Sequence, residues 1–461
     1  MTDTAQIPVA IFKAYDIRGI VDETLTTDIV NKIGRAFGSD ALDRGQQTIV
    51  VGRDGRLSGP KLMDALIKGL RSTGCDVIDI GMAPTPVVYF AAQHIGTGSC
   101  IALTGSHNPP NYNGLKMVIG GVTLSGEAIQ SLRQRILSNN FRTGEGQLES
   151  TDVAPDYINR IVSDIKLSRP LKVIVDCGNG VTGNIAPRLL KALGCEVQEL
   201  FCEVDGSFPN HHPDPSKPEN LQDLIKAVRS QHADVGLAFD GDGDRLGVVT
   251  PSGNIIWPDR QMMLYAGDVL SRNPGAEIIY DIKCTTNLGR VIEEHGGKPL
   301  MWMTGHSLIK AKLKESGAPL AGEMSGHIFF KDRWYGFDDG TYTAARLLEI
   351  LSNDSRNSEE IFASLPDSIN TPELNVLMEE GEHFKFVQNL MKHAHFESGT
   401  ITTIDGLRVD FNDGFGLVRA SNTTPSLVIR FEAKDQTALI RIQDLFRKFM
   451  LDVNPNLELP F

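Results

Sequence analysis

Three stretches of this chain follow the same order: an apolar strand, a polar or glycine-containing loop, an amphipathic helix, a glycine and a second apolar strand. The stretches begin at Thr48, Leu171 and Glu277, at intervals of 123 and 106 residues. This order is the pattern of a β-α-β unit. We interpret it as an internal repeat of three α/β domains; the alternative is that ordinary β-α-β units resemble one another by chance.

The strands of these units are apolar at nearly every position, which is typical of a sheet covered by helices on both faces. The chain from about Ile369 onwards lacks the repeat and alternates strands, such as Gly414–Ala420 and Leu427–Ala433, with helical stretches. At ~150 residues per domain, a chain of 461 residues suggests about three domains. The repeat predicts instead three similar mixed-sheet α/β domains followed by a smaller C-terminal α+β domain.

Changes in composition indicate where these domains end. Gly, Glu and Ser are concentrated at residues 143–151, a turn follows a strand at 251–254, and residues 352–358 are rich in Ser and Asn. We therefore expect four domains, at residues 1–150, 151–254, 255–368 and 369–461.

Charge and hydropathy restrict the classes of partner. The chain has 45 Lys and Arg against 58 Asp and Glu, a formal net charge of −13 at pH 7. This balance argues against nucleic acids and anionic membrane surfaces as partners. No apolar run approaches the ~18 residues of a membrane span, and the first ten residues do not resemble a signal peptide. We expect a cytoplasmic monomer that acts on small molecules, with its six cysteines reduced.

The most specific motif is the sequence DGDGDR, which begins at Asp240 between two apolar runs. The carboxylates of Asp240, Asp242 and Asp244 alternate with glycines, so their oxygens can converge on one hard cation. An EF-hand is excluded, because its sixth and twelfth positions would be Arg245 and Pro251 rather than Gly and Glu. Three carboxylates with open coordination positions are suited to Mg²⁺. The alternative is a solvated acidic β-turn.

A second motif, TGSHNPP, begins at Thr104 directly after an apolar strand, where α/β sheets bind their substrates. The surroundings of Ser106 do not match the G-x-S-x-G nucleophile elbow, and the adjacent His107 cannot easily serve as an ordinary triad base. Close to Mg²⁺, and flanked by His107 and Lys116, the Ser106 hydroxyl would be suited to accept a phosphoryl group. Taken alone, the motif is more typical of an Asn-Pro turn.

Two further loops carry clustered polar groups. The sequence GEMSGH contains Glu323 and Ser325, a paired acceptor and donor of the kind that sugar hydroxyls need, although a polar turn is equally consistent. The sequence RASNTT, which begins at Arg419, combines a guanidinium, hydroxyls and turn amides, which is typical of a phosphate-binding nest. A hairpin turn is the alternative there.

Several weaker candidates lie outside these loops. Tyr15 and Arg18 belong to the sequence YDIRG, where a surface ion pair is the alternative. Lys283 and His306 lie in loops after strands of the third unit, where solvated side chains are common. Asp54 lies between two arginines, a pattern more typical of a structural ion pair than of catalysis.

Taken together, the loops resemble those of the α-D-phosphohexomutase superfamily, from Phe12 to near the C-terminus. TGSHNP, DGDGDR, GEMSGH and RASNTT occur in the order of that family's phosphoserine, metal, sugar and phosphate loops. GEMSGH is similar to the phosphomannomutase/phosphoglucomutase branch, whereas phosphoglucosamine mutases usually have GEQSGH and many phosphoglucomutases GEESFG. The resemblance implies four domains around a central cleft, with one loop from each domain.

The resemblance also implies roles for individual residues. Ser106 would carry the phosphoryl group and bind one Mg²⁺ together with Asp240, Asp242 and Asp244. Lys116 and His327 would assist as acid and base. The other positions implied to line the cleft in catalytic or substrate-binding roles are Tyr15, Arg18, His107, Arg245, Lys283, His306, Glu323, Ser325, Arg419, Ser421, Asn422 and Thr423. Glu323 and Ser325 would hold sugar hydroxyls, and the loop that begins at Arg419 would hold the phosphate that is not reacting.

The implied reaction interconverts the 1-phosphate and 6-phosphate of mannose, glucose or both. Phosphorylated Ser106 would donate its phosphoryl group, a bound 1,6-bisphosphate would reorient, and the other phosphate would return to Ser106. Glucose 1,6-bisphosphate would be the activator and intermediate. The alternatives are a phosphoglucosamine mutase, a Mg²⁺-dependent sugar-phosphate phosphatase, which would release free phosphate, and a sugar-phosphate sensor without turnover.

Overall fold

The computed structural model describes residues 7–422 and 424–461. These residues form four β-sheets that follow one another along the chain, each packed against helices. Short 3-10 helices lie at Val9–Ile11, Val181–Asn184 and Pro218–Leu221. The number and order of the domains predicted from the repeat are thereby confirmed.

The first domain is built on a sheet of seven strands. Its strands are β1 (Ile17–Ile20), β2 (Thr48–Arg53), β3 (Asp76–Met82), β4 (Cys100–Leu103), β5 (Tyr112–Ile119), β6 (Val122–Thr123) and β7 (Leu148–Ser150). Its helices are α1 (Thr27–Asp43), α2 (Gly59–Arg71), α3 (Thr85–Ile95) and α4 (Glu127–Leu137). The strand order is β1-β5-β4-β2-β3-β7, with β6 paired to β5.

The second domain has a five-stranded sheet in the order β12-β11-β10-β8-β9, formed by the strands β8 (Lys172–Asp176), β9 (Glu196–Leu200), β10 (Val235–Phe239), β11 (Leu246–Val249) and β12 (Ile255–Ile256). Its helices are α5 (Ala154–Asp164), α6 (Ala186–Ala192) and α7 (Gln222–Gln231). Because β12 belongs to this sheet, the sheet ends two residues beyond the expected boundary at residue 254.

The third domain has a four-stranded sheet in the order β14-β13-β15-β16, formed by the strands β13 (Glu277–Asp281), β14 (Lys298–Trp302), β15 (Leu320–Gly322) and β16 (Ile328–Phe330). Its helices are α8 (Pro258–Arg272), α9 (Thr286–Glu294), α10 (His306–Ser316), α11 (Gly340–Asn353) and α12 (Ser358–Ala363).

The three sheets share one core arrangement of four strands. It is β3-β2-β4-β5 in the first, β9-β8-β10-β11 in the second and β14-β13-β15-β16 in the third. In each, three strands are parallel and the fourth pairs antiparallel with the third. The repeat read from the sequence is therefore a repeat of structure, and equivalent strands end at equivalent places.

The fourth domain has a different, antiparallel sheet. Its strands are β17 (Ile369–Asn370), β18 (Leu374–Leu377), β19 (Thr400–Thr402), β20 (Leu407–Phe411), β21 (Gly414–Ala420) and β22 (Ser426–Ala433). The helices α13 (Glu382–His393) and α14 (Gln436–Val453) pack on it, and Ile442 and Phe446 of α14 are fully buried. This is the expected α+β domain.

A continuous apolar core joins the first three domains, whereas the fourth has a core of its own. Aromatic rings lie where the three domains meet: Phe90 of α3, Tyr157 of α5 and Trp334, which stacks on Tyr342 of α11 with ring centroids 4.3 Å apart. Since burial of each such ring contributes about 1.5–3 kcal/mol, these domains are packed as one body.

The expectations about membrane-spanning segments and about the cysteines can be compared with the fold. Throughout residues 7–422 and 424–461, no helix is long and apolar enough to cross a membrane. The six cysteines are free thiols, and all but the half-buried Cys202 are buried.

Candidate active site

The repeat explains why three of the candidate loops meet. TGSHNPP follows β4, DGDGDR follows β10 and GEMSGH follows β15, which are the equivalent third strands of the three cores. Substrates of α/β sheets bind beyond the carboxyl ends of such strands. RASNTT begins at the end of β21 in the fourth domain. Contacts between the loops then close the cleft.

Ser106 lies at the bottom of this cleft and is fully buried. Its hydroxyl is 3.2 Å from Asp240 Oδ2 and 3.1 Å from His107 Nδ1. Its φ of 48° is in the left-handed region, a conformation that is costly for serine and typical of functional sites. His107 was expected not to serve easily as an ordinary triad base; the backbone geometry at Ser106 nevertheless brings the two adjacent side chains into contact.

The Arg56 side chain binds the main chain of the loop that contains Ser106. Its guanidinium donates to four carbonyl oxygens, those of Ser106, Asn108, Pro109 and Tyr112, at 2.5–3.0 Å. Asp54 pairs with Arg56 at 3.1 Å and accepts hydrogen bonds from Thr104 Oγ1 and the Gly105 amide. Asp54 thus forms with Arg56 the structural ion pair that the sequence indicated. Gly105 leaves room for the guanidinium, which a Cβ at that position would overlap.

Asp240, Asp242 and Asp244 converge as the motif predicts, with one oxygen from each within 4.8 Å of the others, and all three are fully buried. Gly241 of this loop lies directly against Ser106. A Cβ on Gly241 would overlap the Ser106 carbonyl oxygen, so only glycine allows this close approach. Thr85, the first residue of α3, donates to Asp242 Oδ2 at 2.6 Å. The loop is therefore held from the first domain as well as from its own.

Lys116 is the cation that partly neutralises this cluster. Its ammonium donates to Asp242 Oδ2 at 2.8 Å and also to Asp244 Oδ2. Although burial opposes it, the proximity of Asp242 and Asp244 raises the pKa of Lys116. Lys116 is therefore an ammonium that donates hydrogen bonds to this cluster and is poorly suited to accept a proton.

The donor set fits a divalent cation. Neither Asp242 Oδ1 nor Asp244 Oδ1 accepts a hydrogen bond from the described residues, although both atoms are buried. Burial and the charges of Asp244 and Asp242 raise the pKa of Asp240 well above its usual value. Lys116 and Arg245 together thus leave three buried carboxylates one positive charge short. Hard oxygen ligands in this state are suited to Mg²⁺.

His327 links the second and third domains. Arg245 Nε donates to His327 Nε2 at 3.0 Å, and the two residues form a β-bridge. This places the single proton of a neutral His327 on Nδ1, which lies 3.0 Å from Asp338 Oδ2 and 3.4 Å from Asp244 Oδ1. Lys310 lies behind Asp338, at 3.0 Å from its Oδ1. Both ring nitrogens of His327 thus already face protein groups.

The sugar loop presents a buried carboxyl group. Ser325 Oγ donates to Glu323 Oε2 at 3.1 Å, and Glu323 Oε1 accepts no hydrogen bond from the described part of the chain. Burial raises the pKa of Glu323 to about 6. The buried His306 lies beside His327, with ring centroids 5.7 Å apart, and burial and Lys310 lower the pKa of His306 well below its usual value.

The phosphate loop lies across the cleft. Arg419 Nη2 is 3.1 Å from Asp405, and Lys283 Nζ is 2.6 Å from Glu373. Asn422 Nδ2 donates to Tyr15 Oη, so this loop reaches the first domain. Ser421 is buried there, and Thr423 lies outside the described residues.

Arg18 pairs with an acidic residue close to it in the sequence. Its Nε donates to Asp16 Oδ2 at 2.7 Å, the ion pair that was the alternative interpretation. Its charge nevertheless reaches the site, since Arg18 together with burial and Arg245 lowers the pKa of His107 well below its usual value.

The sequence did not identify the partners that hold the candidate residues. Those partners are Arg56, Thr85, Asp338, Asp405 and Glu373. A weak signal existed for Arg56, which follows a strand of the first repeat in the sequence GRDGR.

Comparison with known proteins agrees with this site. Models of the phosphoglucomutase/phosphomannomutase family match four successive parts of the chain: alpha/beta/alpha domain I at residues 9–143, domain II at 155–253, domain III at 257–369 and the C-terminal domain at 373–449. The chain belongs to this family. The resemblance drawn from the four loops is thereby confirmed.

Individual relatives cover the whole chain. A phosphomannomutase/phosphoglucomutase from Pseudomonas aeruginosa is 58% identical over 455 residues, 99% of this chain and 98% of that protein. A phosphoglucomutase from Neisseria meningitidis is 56% identical over 460 residues, 99% and 100% of the two chains. The crystal structure of a phosphoglucomutase/phosphomannomutase family protein from Burkholderia thailandensis superposes with a TM-score of 0.95 at 58% identity, covering 99% and 100%.

Proposed function

We propose that this chain interconverts the 1-phosphate and 6-phosphate of mannose, glucose or both, through a phosphoryl group carried by Ser106. The observation that carries the proposal is the buried Ser106 hydroxyl, 3.2 Å from one of three converging carboxylates and in contact with a neutral imidazole. The relatives named for both sugars support the substrate class. Glucose 1,6-bisphosphate would be the activator and the intermediate.

Asp240, Asp242, Asp244 and Ser106 would hold one Mg²⁺ per chain. When bound, this ion supplies positive charge to the oxygens of the phosphoryl group. Lys116 holds two of the carboxylates in place and adds its own charge beside them. Arg245, with Nε at 3.9 Å from Asp240 Oδ2, contributes a second fixed cation at the same place.

Proton movement at Ser106 is assigned to His107. Its pKa is lowered by burial, so the imidazole is neutral and can accept a proton at Nδ1, 3.1 Å from Ser106 Oγ. The proton leaves Oγ as Ser106 accepts the phosphoryl group and returns when Oγ is the leaving group. Lys116 and His327 would serve as acid and positioning group for the sugar hydroxyl.

The bisphosphate must be held at both ends while it turns. One end would lie at Ser106, near Arg18, Lys116 and Arg245. The other would lie at the loop of the fourth domain, with Arg419, Ser421, Asn422 and Thr423, beside Lys283 and Tyr15. Between the two ends, Glu323, Ser325 and His306 would contact the sugar. Cations at both ends allow either phosphate to occupy either place.

We further propose that the enzyme is a cytoplasmic monomer with domains near the boundaries expected from composition. All four loops come from one chain, so the cleft needs no residue from a second subunit. An acidic exterior around a locally cationic cleft is consistent with small phosphorylated anions as the substrates.

The test compares Ser106→Ala with Ser138→Ala, a change at an exposed serine after α4. Mannose 1-phosphate and glucose 1-phosphate are each assayed with a trace of glucose 1,6-bisphosphate and Mg²⁺. We expect Ser106→Ala to lose at least about 1,000-fold in turnover and Ser138→Ala to lose none. Near-normal turnover by Ser106→Ala would refute the mechanism, and accumulation of free phosphate by the unmodified enzyme would indicate a phosphatase.

A further inference from the structure

A cavity of about 460 Å³ lies between the first and third domains, outside the four loops. Its walls come from α3, β5, α10 and the segment around Phe337, and they include the apolar side chains of Ala92, Val118 and Leu313. A volume of about 300–1,000 Å³ is typical of sites for small organic ligands. Since none of the active-site residues that the structure describes lines it, this space is not explained by the mutase reaction.

The charges on this cavity are all of one sign. Lys310, Lys314 and Lys331 line it, and within residues 7–422 and 424–461 no aspartate or glutamate lines it. In a chain with 58 acidic and 45 basic residues, such a lining runs against the overall charge. Lys314 and Lys331 are exposed, whereas Lys310 is mostly buried with its ammonium 4.5 Å from the centre of the Tyr89 ring. The lining therefore favours an anion.

Two buried hydroxyls in the lining have no hydrogen-bond partner among the described residues. Tyr89 is 4% exposed and Ser307 is 2% exposed, yet neither hydroxyl makes a hydrogen bond to any residue that the structure describes. A buried hydroxyl without a partner destabilises the protein, so such groups are rare unless something satisfies them. Both can donate to an anionic oxygen.

One side chain connects this cavity to the active site. Lys310 lies 3.0 Å from Asp338, and Asp338 lies 3.0 Å from His327 Nδ1. An anion that drew the Lys310 ammonium toward the cavity would therefore loosen the contact that orients His327.

We propose that this cavity binds a small organic anion with an apolar body, held by Lys314, Lys331 and the two hydroxyls, and that its binding slows turnover through Lys310. The apolar walls would cover the body of the ligand, and the amines would pair with its acidic group. The effect on turnover rests on the proposed mutase function, but the binding does not.

The binding test uses the fluorescent probe anilinonaphthalene sulfonate, with N-phenylnaphthylamine as its uncharged counterpart. The variant is Lys314→Gln combined with Lys331→Gln, and the control is Lys312→Gln, on the same helix but outside the lining. We expect the double variant to bind the sulfonate about tenfold more weakly. The control should bind it normally, and the uncharged probe should bind weakly to every protein.

A second variant, Gln93→Trp, fills the cavity from an exposed position on α3 and should also weaken binding. Saturating glucose 1-phosphate should leave sulfonate binding unchanged. The proposal is overturned if no saturable site is found, if the double variant binds normally, if glucose 1-phosphate displaces the probe, or if the uncharged probe binds equally well.

The kinetic arm follows turnover of glucose 1-phosphate with increasing sulfonate. We expect kcat to fall with little change in KM, and the double variant to resist the inhibition. Competitive inhibition, or equal inhibition of the double variant, would overturn the proposed coupling. Absence of turnover without any probe would instead count against the proposed function.

Discussion

Arg56 shows how the position of Ser106 depends on a residue that has no part in the chemistry. It binds four carbonyl oxygens of the loop and stabilises a serine with a φ of 48°. Lysine, as a compact cation, cannot reproduce this planar set of donors. Arg56 is therefore a positioning residue for the nucleophile.

We expect Arg56→Lys to lower kcat about 100-fold, because small displacements of reacting groups have effects of this size. It should also lower the free energy of unfolding by about 3 kcal/mol, because buried carbonyl oxygens of the loop lose their donors. Steady-state kinetics and urea unfolding measure the two effects. Arg53→Lys, at the half-buried neighbouring arginine, is the control and should change both only slightly. Full turnover by Arg56→Lys would show that the loop holds its shape alone.

Among individual residues, the sequence identified those that belong to contiguous motifs and missed those whose partners are distant along the chain. Ser106 and the three aspartates belong to short motifs whose spacing alone indicates their chemistry. Glu373 and Asp405 were missed because ion pairs leave no local pattern: Lys283 and Glu373 are 90 positions apart. The contact of His107 with Ser106 was missed because it depends on a positive φ that the sequence does not reveal.

Helix α11 begins at a buried carboxyl group. Asp339 is its N-cap residue, accepts from the Tyr342 amide at 2.9 Å, and contacts the Tyr157 hydroxyl of α5 at 2.8 Å. Burial raises the pKa of Asp339 to about 7. The usual pKa of an aspartate is about 3.9. Between about pH 4 and pH 7, the folded state therefore keeps a proton on Asp339 that the unfolded state has lost.

The contribution of this proton to stability is present in full below about pH 4 and is lost as the pH rises through 7. Asparagine keeps the N-cap acceptor without titrating. Between pH 5 and pH 8, we therefore expect the unmodified protein to lose about 3 kcal/mol of unfolding free energy relative to Asp339→Asn. Urea unfolding of both proteins at the two values of pH measures this difference. Equal changes in the two proteins would show that Asp339 does not titrate in this range.

Among the elements, the long apolar strands β2, β8 and β13 could be predicted, because an uninterrupted apolar run has few other structures available to it. The two-residue strands β6, β12 and β17 could not. Each exists only through pairing with a longer neighbour, so its own residues carry no pattern. This is why the second sheet ends slightly beyond the boundary that composition suggested.

The whole molecule is three packed domains with a fourth anchored mainly on the third. Arg408 and Arg430 of the fourth domain are buried and donate to main-chain carbonyls of residues 282–284 in the third. Tyr15 of the first domain connects the others, since its hydroxyl donates to the Thr304 carbonyl at 2.8 Å and accepts from Asn422. One phenol hydroxyl of the first domain therefore contacts both the third and the fourth domain.

We expect Tyr15→Phe to raise KM for glucose 1-phosphate by up to about tenfold with a smaller change in kcat, because the hydrogen bonds that it loses contribute about 0.5–1.5 kcal/mol each. Tyr112→Phe, in β5 of the same domain, is the control and should behave normally. The measurement is a substrate titration at saturating glucose 1,6-bisphosphate. An unchanged KM for Tyr15→Phe would show that this contact does not contribute to substrate binding.

The central claim is that Ser106 carries the phosphoryl group that the sugar receives. The protein is incubated with glucose 1,6-bisphosphate and Mg²⁺, freed of excess ligand and examined by peptide mass spectrometry, before and after one equivalent of glucose 1-phosphate is added. We predict one phosphoryl group, located on Ser106, which leaves the protein as an equal amount of glucose 1,6-bisphosphate appears. Phosphate on another residue, or its release as free phosphate, would contradict the account.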